Sequence, residues 1–251
     1  MNLYGYYSLQ RLAQFMQMAG ECHFGGMNMG KRESGFTLIE IAIVLVIIGL
    51  LLGGVLKGQE LITGARVRNF IQQQDGVKAA YFGFLDRYRA LPGDYPGAVA
   101  NIANMSTAAC GGGNGNGDGS ITTTNNENIL VWEHLSRSGF INGTYTCAAT
   151  ASSTTSPTNP YGQVLNLIFD ATYQSPSGIT STSRHNLQTG TNVPSDILAE
   201  VDRKVDDANA STGSFRGSGT AGSCWSTVAG TTFGVWAAAA PTNACAGATL
   251  F

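Results

Sequence analysis

The chain has 251 residues, enough for one domain or two small ones, and only 12% of them are charged. That is about half the usual share for a soluble globular protein. A net charge of -2 with no long basic run excludes an extended phosphate-gripping surface.

The first element in the chain is an apolar run. Ile41 to Leu56 reads IAIVLVIIGLLLGGVL, and FTLI at 36–39 extends it, interrupted by Glu40. From Phe36 to Leu56 a helix would measure roughly 30 Å, about the hydrocarbon thickness of a bilayer. Lys31 and Arg32 lie just before it, so the N-terminal flank is expected on the cytoplasmic side and everything from Lys57 onward outside. A secretory signal peptide would need a small-residue cut site after the run, and KGQELITGARV offers none. A plain anchor explains the length and flank but not Glu40, because a carboxylate inside a membrane helix is rare and marks function by default. A newly freed N-terminal amine, made by cutting just before Phe36, would supply the missing positive partner on a neighbouring helix.

The stretch KRESGFTLIEIAIVLVIIGLLLGG resembles the signal of type IV prepilins and type II secretion pseudopilins. In that family a basic leader ends in Gly, the mature chain starts with a methylated Phe, and the fifth mature residue is Glu. The resemblance gives those roles to Gly35, Phe36 and Glu40. It implies an α+β, pilin-like fold: a long N-terminal helix, membrane half plus amphipathic half, packed on a C-terminal antiparallel β-sheet head. It also implies a leader at 1–35, a transmembrane and filament-core helix at 36–56, its amphipathic continuation at 57–90 and a head at 91–251. A 35-residue leader is long for this family, and its first part does not read as one; a start at Met27 or Met29 would leave a short basic leader. The family's frequent proline at the 22nd mature position is replaced by Lys57, so any helix kink would fall to Gly49, Gly53 or Gly54.

The helix is expected to continue, since Val67, Phe70, Ile71, Gln74, Val77, Tyr81, Phe84, Leu85 and Tyr88 recur at spacings of three and four. LPGDYPG at 91–97 should stop it. In the Gly/Asn-rich stretch that follows, Asn114, Asn116 and Asp118 fall at the spacing of a calcium-loop start, but no Glu stands at the twelfth position. A flexible turn is the favoured reading, with calcium kept open because it occurs in some pseudopilin heads. NENILVWEHLSRSGFING then reads as a short helix capped by Asn126 or Asn128 and ended by Gly139, with His134 expected at the surface. This helix and the LPGD element are similar to those of a subset of prepilin-like proteins.

Val164 to Phe169 is the strand candidate of the polar region that follows. AEVDRKVDDANASTGSFRG reads as a short helix passing into a strand and resembles an element of the same subset, with Ala208 where a Gly is usual. Asp202, Asp206 and Asp207 could contact a cation, but with Arg203 and Lys204 to compensate them they read as a solvated face. An apolar closing strand, tied back by Cys245, ends the chain.

Four cysteines, Cys110, Cys147, Cys224 and Cys245, follow the apolar run, which suits two disulfides in an oxidising compartment. Three pairings are possible. Cys110 with Cys147 and Cys224 with Cys245 closes the shorter loops and is the expected set, against buried free thiols as the alternative. Zinc spacing is absent. With His134 and His185 the only histidines beyond the apolar run and no catalytic motif, the chain is read as no enzyme.

The expected function is a structural subunit of a type IV pilus or related filament. Its expected partners are a prepilin peptidase, other pilin or pseudopilin subunits and, before assembly, the bacterial inner membrane. The alternatives are a pseudopilin of a type II secretion system, or a minor tip subunit whose head binds a surface ligand or DNA. No nucleic-acid partner is expected outside that last role.

Overall fold

The computed structural model describes residues 37–176, 178–218, 224–227, 234–239 and 241–251. Gly35, Phe36, Cys22 and both alternative start methionines lie outside the described residues. Helix α1 runs Leu38–Tyr88. Arg89 follows with φ 54°, in the left-handed region, and Pro92 and Gly93 prevent resumption. The chain divides into two compact units, one ending at Gln59 and one running Glu60–Phe251.

In the first unit, the helix up to Lys57 has every described side chain exposed. In the second, α1 contributes Val67, Phe70, Gln74, Val77, Ala80, Tyr81 and Phe84 as its buried stripe. The steps of three and four keep these residues on one face. Ile71, Leu85 and Tyr88, expected on that stripe, are half-buried at its margin.

Among the described residues three further α-helices follow: α2 (Ala98–Asn101), α3 (Glu127–Arg137) and α4 (Ser195–Val205). The strands are β1 (Asn166–Asp170), β2 (Arg184–Gln188), β3 (Phe215–Ser218), β4 (Trp225–Thr227), β5 (Gly234–Trp236) and β6 (Ala246–Leu250). Among the described residues they form an antiparallel four-stranded sheet in the order β1-β2-β6-β3 and a two-stranded β4-β5 ribbon. The closing strand β6 therefore lies between β2 and β3, with Leu187 opposite Thr249 and Phe215 opposite Thr249 on its other side.

Two apolar clusters hold the head to α1. Val77, Tyr81 and Phe84 meet Trp132 and Leu135 of α3 and Leu167 and Leu187 of the sheet. About two to three turns earlier, Val67 and Phe70 meet Leu198 and Val201 of α4 with Phe215, Trp225 and Trp236. Each such side chain contributes about 1.5–3 kcal/mol on burial. Disulfides join Cys110 to Cys147 and Cys224 to Cys245. The second ties the β4-β5 ribbon to the residue that precedes β6.

Candidate functional site

The N-terminus of α1 is built by two side chains. Thr37 precedes the first helical residue and Glu40 lies three positions on, the Thr-x-x-Glu spacing of a capping box. Glu40 N–H donates to Thr37 Oγ1 at 3.3 Å, and Glu40 Oε2 accepts from Thr37 N–H at 2.7 Å and from Thr37 Oγ1 at 2.8 Å. Each residue thereby satisfies a donor that the helix start would leave unpaired. Both bonds to Glu40 fall on Oε2, so Oε1 takes no part in the box.

Sequence reasoning assigned Glu40 and overlooked Thr37, although the Thr-x-x-Glu signal ahead of an apolar run was there to be read.

Behind this box the apolar side chains are open: Leu38 is 89% exposed and Leu50 74%. Among the described residues α1 is the helix long and apolar enough to cross a membrane, with mean hydropathy 2.8 over its most apolar window. A surface of this extent requires a covering of lipid or of other apolar helices. Gly49, Gly53 and Gly54 lie inside the continuous helix, and a methyl at any of them would meet nothing within 4 Å.

In the head, the LPGD element and α3 grip the Gly/Asn loop. Asp94 Oδ1 accepts from Gly117 N–H at 2.6 Å and Asp118 N–H at 3.1 Å, and its Oδ2 from Gly119 N–H at 2.8 Å. Glu127 accepts from Asn116 and Thr122, and Glu133 from Ser106 and Cys147. Gly115 is required here, because a Cβ on it would lie 2.2 Å from the Asp94 carbonyl carbon.

His134 corrects the surface expectation: it is fully buried. Gly93 N–H donates to its Nδ1 at 2.9 Å, so Nε2 carries the proton and donates to Gly113 O at 3.1 Å. Burial pushes its pKa down to about 4, against the opposing pull of the Gly113 carbonyl. The surface reading failed because its sequence neighbours Glu133 and Ser136 are polar, while Glu133 is itself buried to bind backbone.

Of the calcium candidates, Asn116 and Asp118 come together, Asn116 Nδ2 donating to Asp118 Oδ2 at 2.9 Å. Asn114 Oδ1 is engaged elsewhere, accepting from Val99 N–H at 2.9 Å.

The Asp202, Asp206 and Asp207 group also departs from expectation. Arg203 and Lys204 pair with Glu200, and Asp202 is fully buried rather than solvated.

Residues 30–56 match the family model described as the prokaryotic N-terminal methylation motif, the type IV prepilin and pseudopilin signature. No curated protein and no solved structure matches the chain.

Proposed function

We infer that this chain, carrying the prokaryotic N-terminal methylation motif, is the precursor of a structural subunit of a type IV pilus or related filament. The observation that carries this reading is Glu40, a carboxylate near the start of a helix whose apolar side chains are all exposed as far as Leu56. Cutting between Gly35 and Phe36 would create an amine close to the level of Glu40 on a neighbouring copy. With Oε2 committed to the capping box, Oε1 is the oxygen that would receive that amine. In a dry helical bundle such a pair is strong, because little water screens it.

On this reading residues 1–35 are the leader, 36–56 the transmembrane and filament-core helix, 57–90 its continuation and 91–251 the head. The partners are a prepilin peptidase, the inner membrane before assembly, and copies of this or related subunits. Two disulfides in the head fit an oxidising space outside the cytoplasm. The role is structural rather than catalytic: the buried histidine and carboxylates of the loop region all serve backbone groups.

The test is the intact mass and N-terminal peptide mass of the protein taken from its native membrane. A chain beginning at Phe36 with one added methyl group is expected. A chain still bearing KRESG, in cells with an active prepilin peptidase, would move the protein to a plain anchored role. Copy number in sheared filaments then separates a main pilus subunit from a pseudopilin or a minor tip subunit.

A further inference from the structure

The carboxylates of Asp202, Asp206 and Asp207 each place an oxygen within 4.8 Å of the other two. Oxygens that surround one calcium ion at about 2.4 Å are separated by no more than about 4.8 Å, so the three meet the distance limit for sharing an ion. Among the described residues no lysine or arginine pairs with any of them; Arg203 and Lys204, one and two positions on, turn to Glu200 instead.

The group lies at the C-terminal end of α4, where the helix dipole is negative and three carboxylates are unfavourable unless a cation joins them. Asp202 is fully buried, and its Oδ2 accepts from Trp236 Nε1 at 2.6 Å. Its Oδ1 is buried with no hydrogen-bond partner, an arrangement that costs free energy unless a ligand satisfies it.

The turn after α4 fixes the other two carboxylates. Asp206 accepts from the N–H groups of Ser214 and Phe215, and Asp207 Oδ1 from Asn209 N–H. Ala208, which follows Asp207, is held at φ 63°. A Cβ on Gly213 would run into the Asp206 carboxylate, so the loop closes tightly over it.

The geometry points to a calcium site formed by Asp202, Asp206 and Asp207, which locks the α4–β3 turn of the head against Trp236. Three carboxylates and water supply the hard oxygen donors calcium prefers, and affinities of the extracellular range suffice for a head outside the cytoplasm. The site is separate from the Asn116–Asp118 turn.

The experiment uses the full chain in detergent micelles, with terbium as the calcium stand-in, excitation in the tryptophan band and competition by calcium. Because the Trp236 indole bonds a proposed ligand, sensitised terbium emission that calcium displaces is expected, together with a higher melting temperature in calcium than in EDTA. Asp207→Asn keeps an oxygen for Asn209 and is expected to weaken calcium binding at least about tenfold through lost ligand charge. Asp118→Asn, in the other candidate loop, is expected to leave binding unchanged. Absence of both emission and a calcium-dependent melting shift in the parent chain would overturn the site, as would loss of binding in Asp118→Asn but not in Asp207→Asn. An equal melting shift with magnesium would overturn the assignment to calcium.

Discussion

Gln74 and Thr249, 175 positions apart, meet in the interior of the head, where Thr249 Oγ1 donates to Gln74 Oε1 at 2.9 Å. Gln74 stands on the buried stripe of α1 between Phe70 and Val77, and Thr249 on the central strand β6. The bond fastens the helix to the last strand between the two apolar clusters. Gln74 Nε2 is buried there without a partner, so the pair is an incompletely satisfied polar island.

That arrangement makes a double-mutant cycle informative. Gln74→Leu alone strands the Thr249 hydroxyl, and Thr249→Val alone strands the Gln74 amide; each is expected to lower stability by about 1–3 kcal/mol. The double variant removes both polar groups and is expected to recover most of the loss. Denaturant unfolding of the four proteins measures the coupling, and strictly additive losses would contradict the bond's role.

At the helix start, the capping and charge roles of Glu40 can be separated. Glu40→Gln retains an oxygen for the Thr37 box but removes the charge, and is expected to be trimmed normally yet to yield few filaments. Thr37→Ala removes the cap, loosening the first turn by about 1 kcal/mol, and is expected to keep most of the filament yield. Filament yield from sheared cells, beside the N-terminal mass, reads both. The reverse order of severity would show that the box, not the charge, drives assembly.

His134 gives the head an acid-sensitive point. Its folded pKa of about 4 lies below the ordinary 6.5, so the unfolded chain binds the proton first as pH falls. The stability it contributes is complete above pH 6.5 and is lost as pH drops through that window toward 4, on the order of 3 kcal/mol in all. Asp202, raised to about 6, changes stability in the opposite direction over part of the same range, so the parent must be compared with a variant that leaves Asp202 intact. His134→Gln can accept from Gly93 and donate to Gly113 without titrating. Unfolding curves of the two proteins at pH 7, 5.5 and 4.5 should diverge with acid, the parent losing more; parallel behaviour would refute the assignment.

Much of this protein was legible as sequence because it rests on local periodicity and short-range chemistry. The apolar run with Glu40 inside it, the stripe from Val67 to Phe84, and the stop at LPGD each follow from spacing along one helix. The helix at Glu127–Arg137, the strand at Asn166–Asp170 and the helix-to-strand passage ending in Phe215–Ser218 were also marked by their residues. Thr37 belonged to the same legible class and needed only the capping spacing to be applied.

What tertiary structure alone decided are the partners of polar groups distant in sequence. Nothing in NENILVWEHL indicates that His134 is buried beneath Gly93 and Gly113, since its partners are backbone atoms of another segment. Nor does LPGD reveal that Asp94 holds the N–H groups of Gly117, Asp118 and Gly119, turning a loop read as flexible into a fastened one. The aspartates after α4 looked balanced by Arg203 and Lys204 until helix geometry directed those cations to Glu200 and folded Asp202 inward against Trp236. The physical reason is the same in each case: hydrophobic periodicity is written residue by residue along the chain, whereas a buried polar group is specified by whatever the fold brings to it.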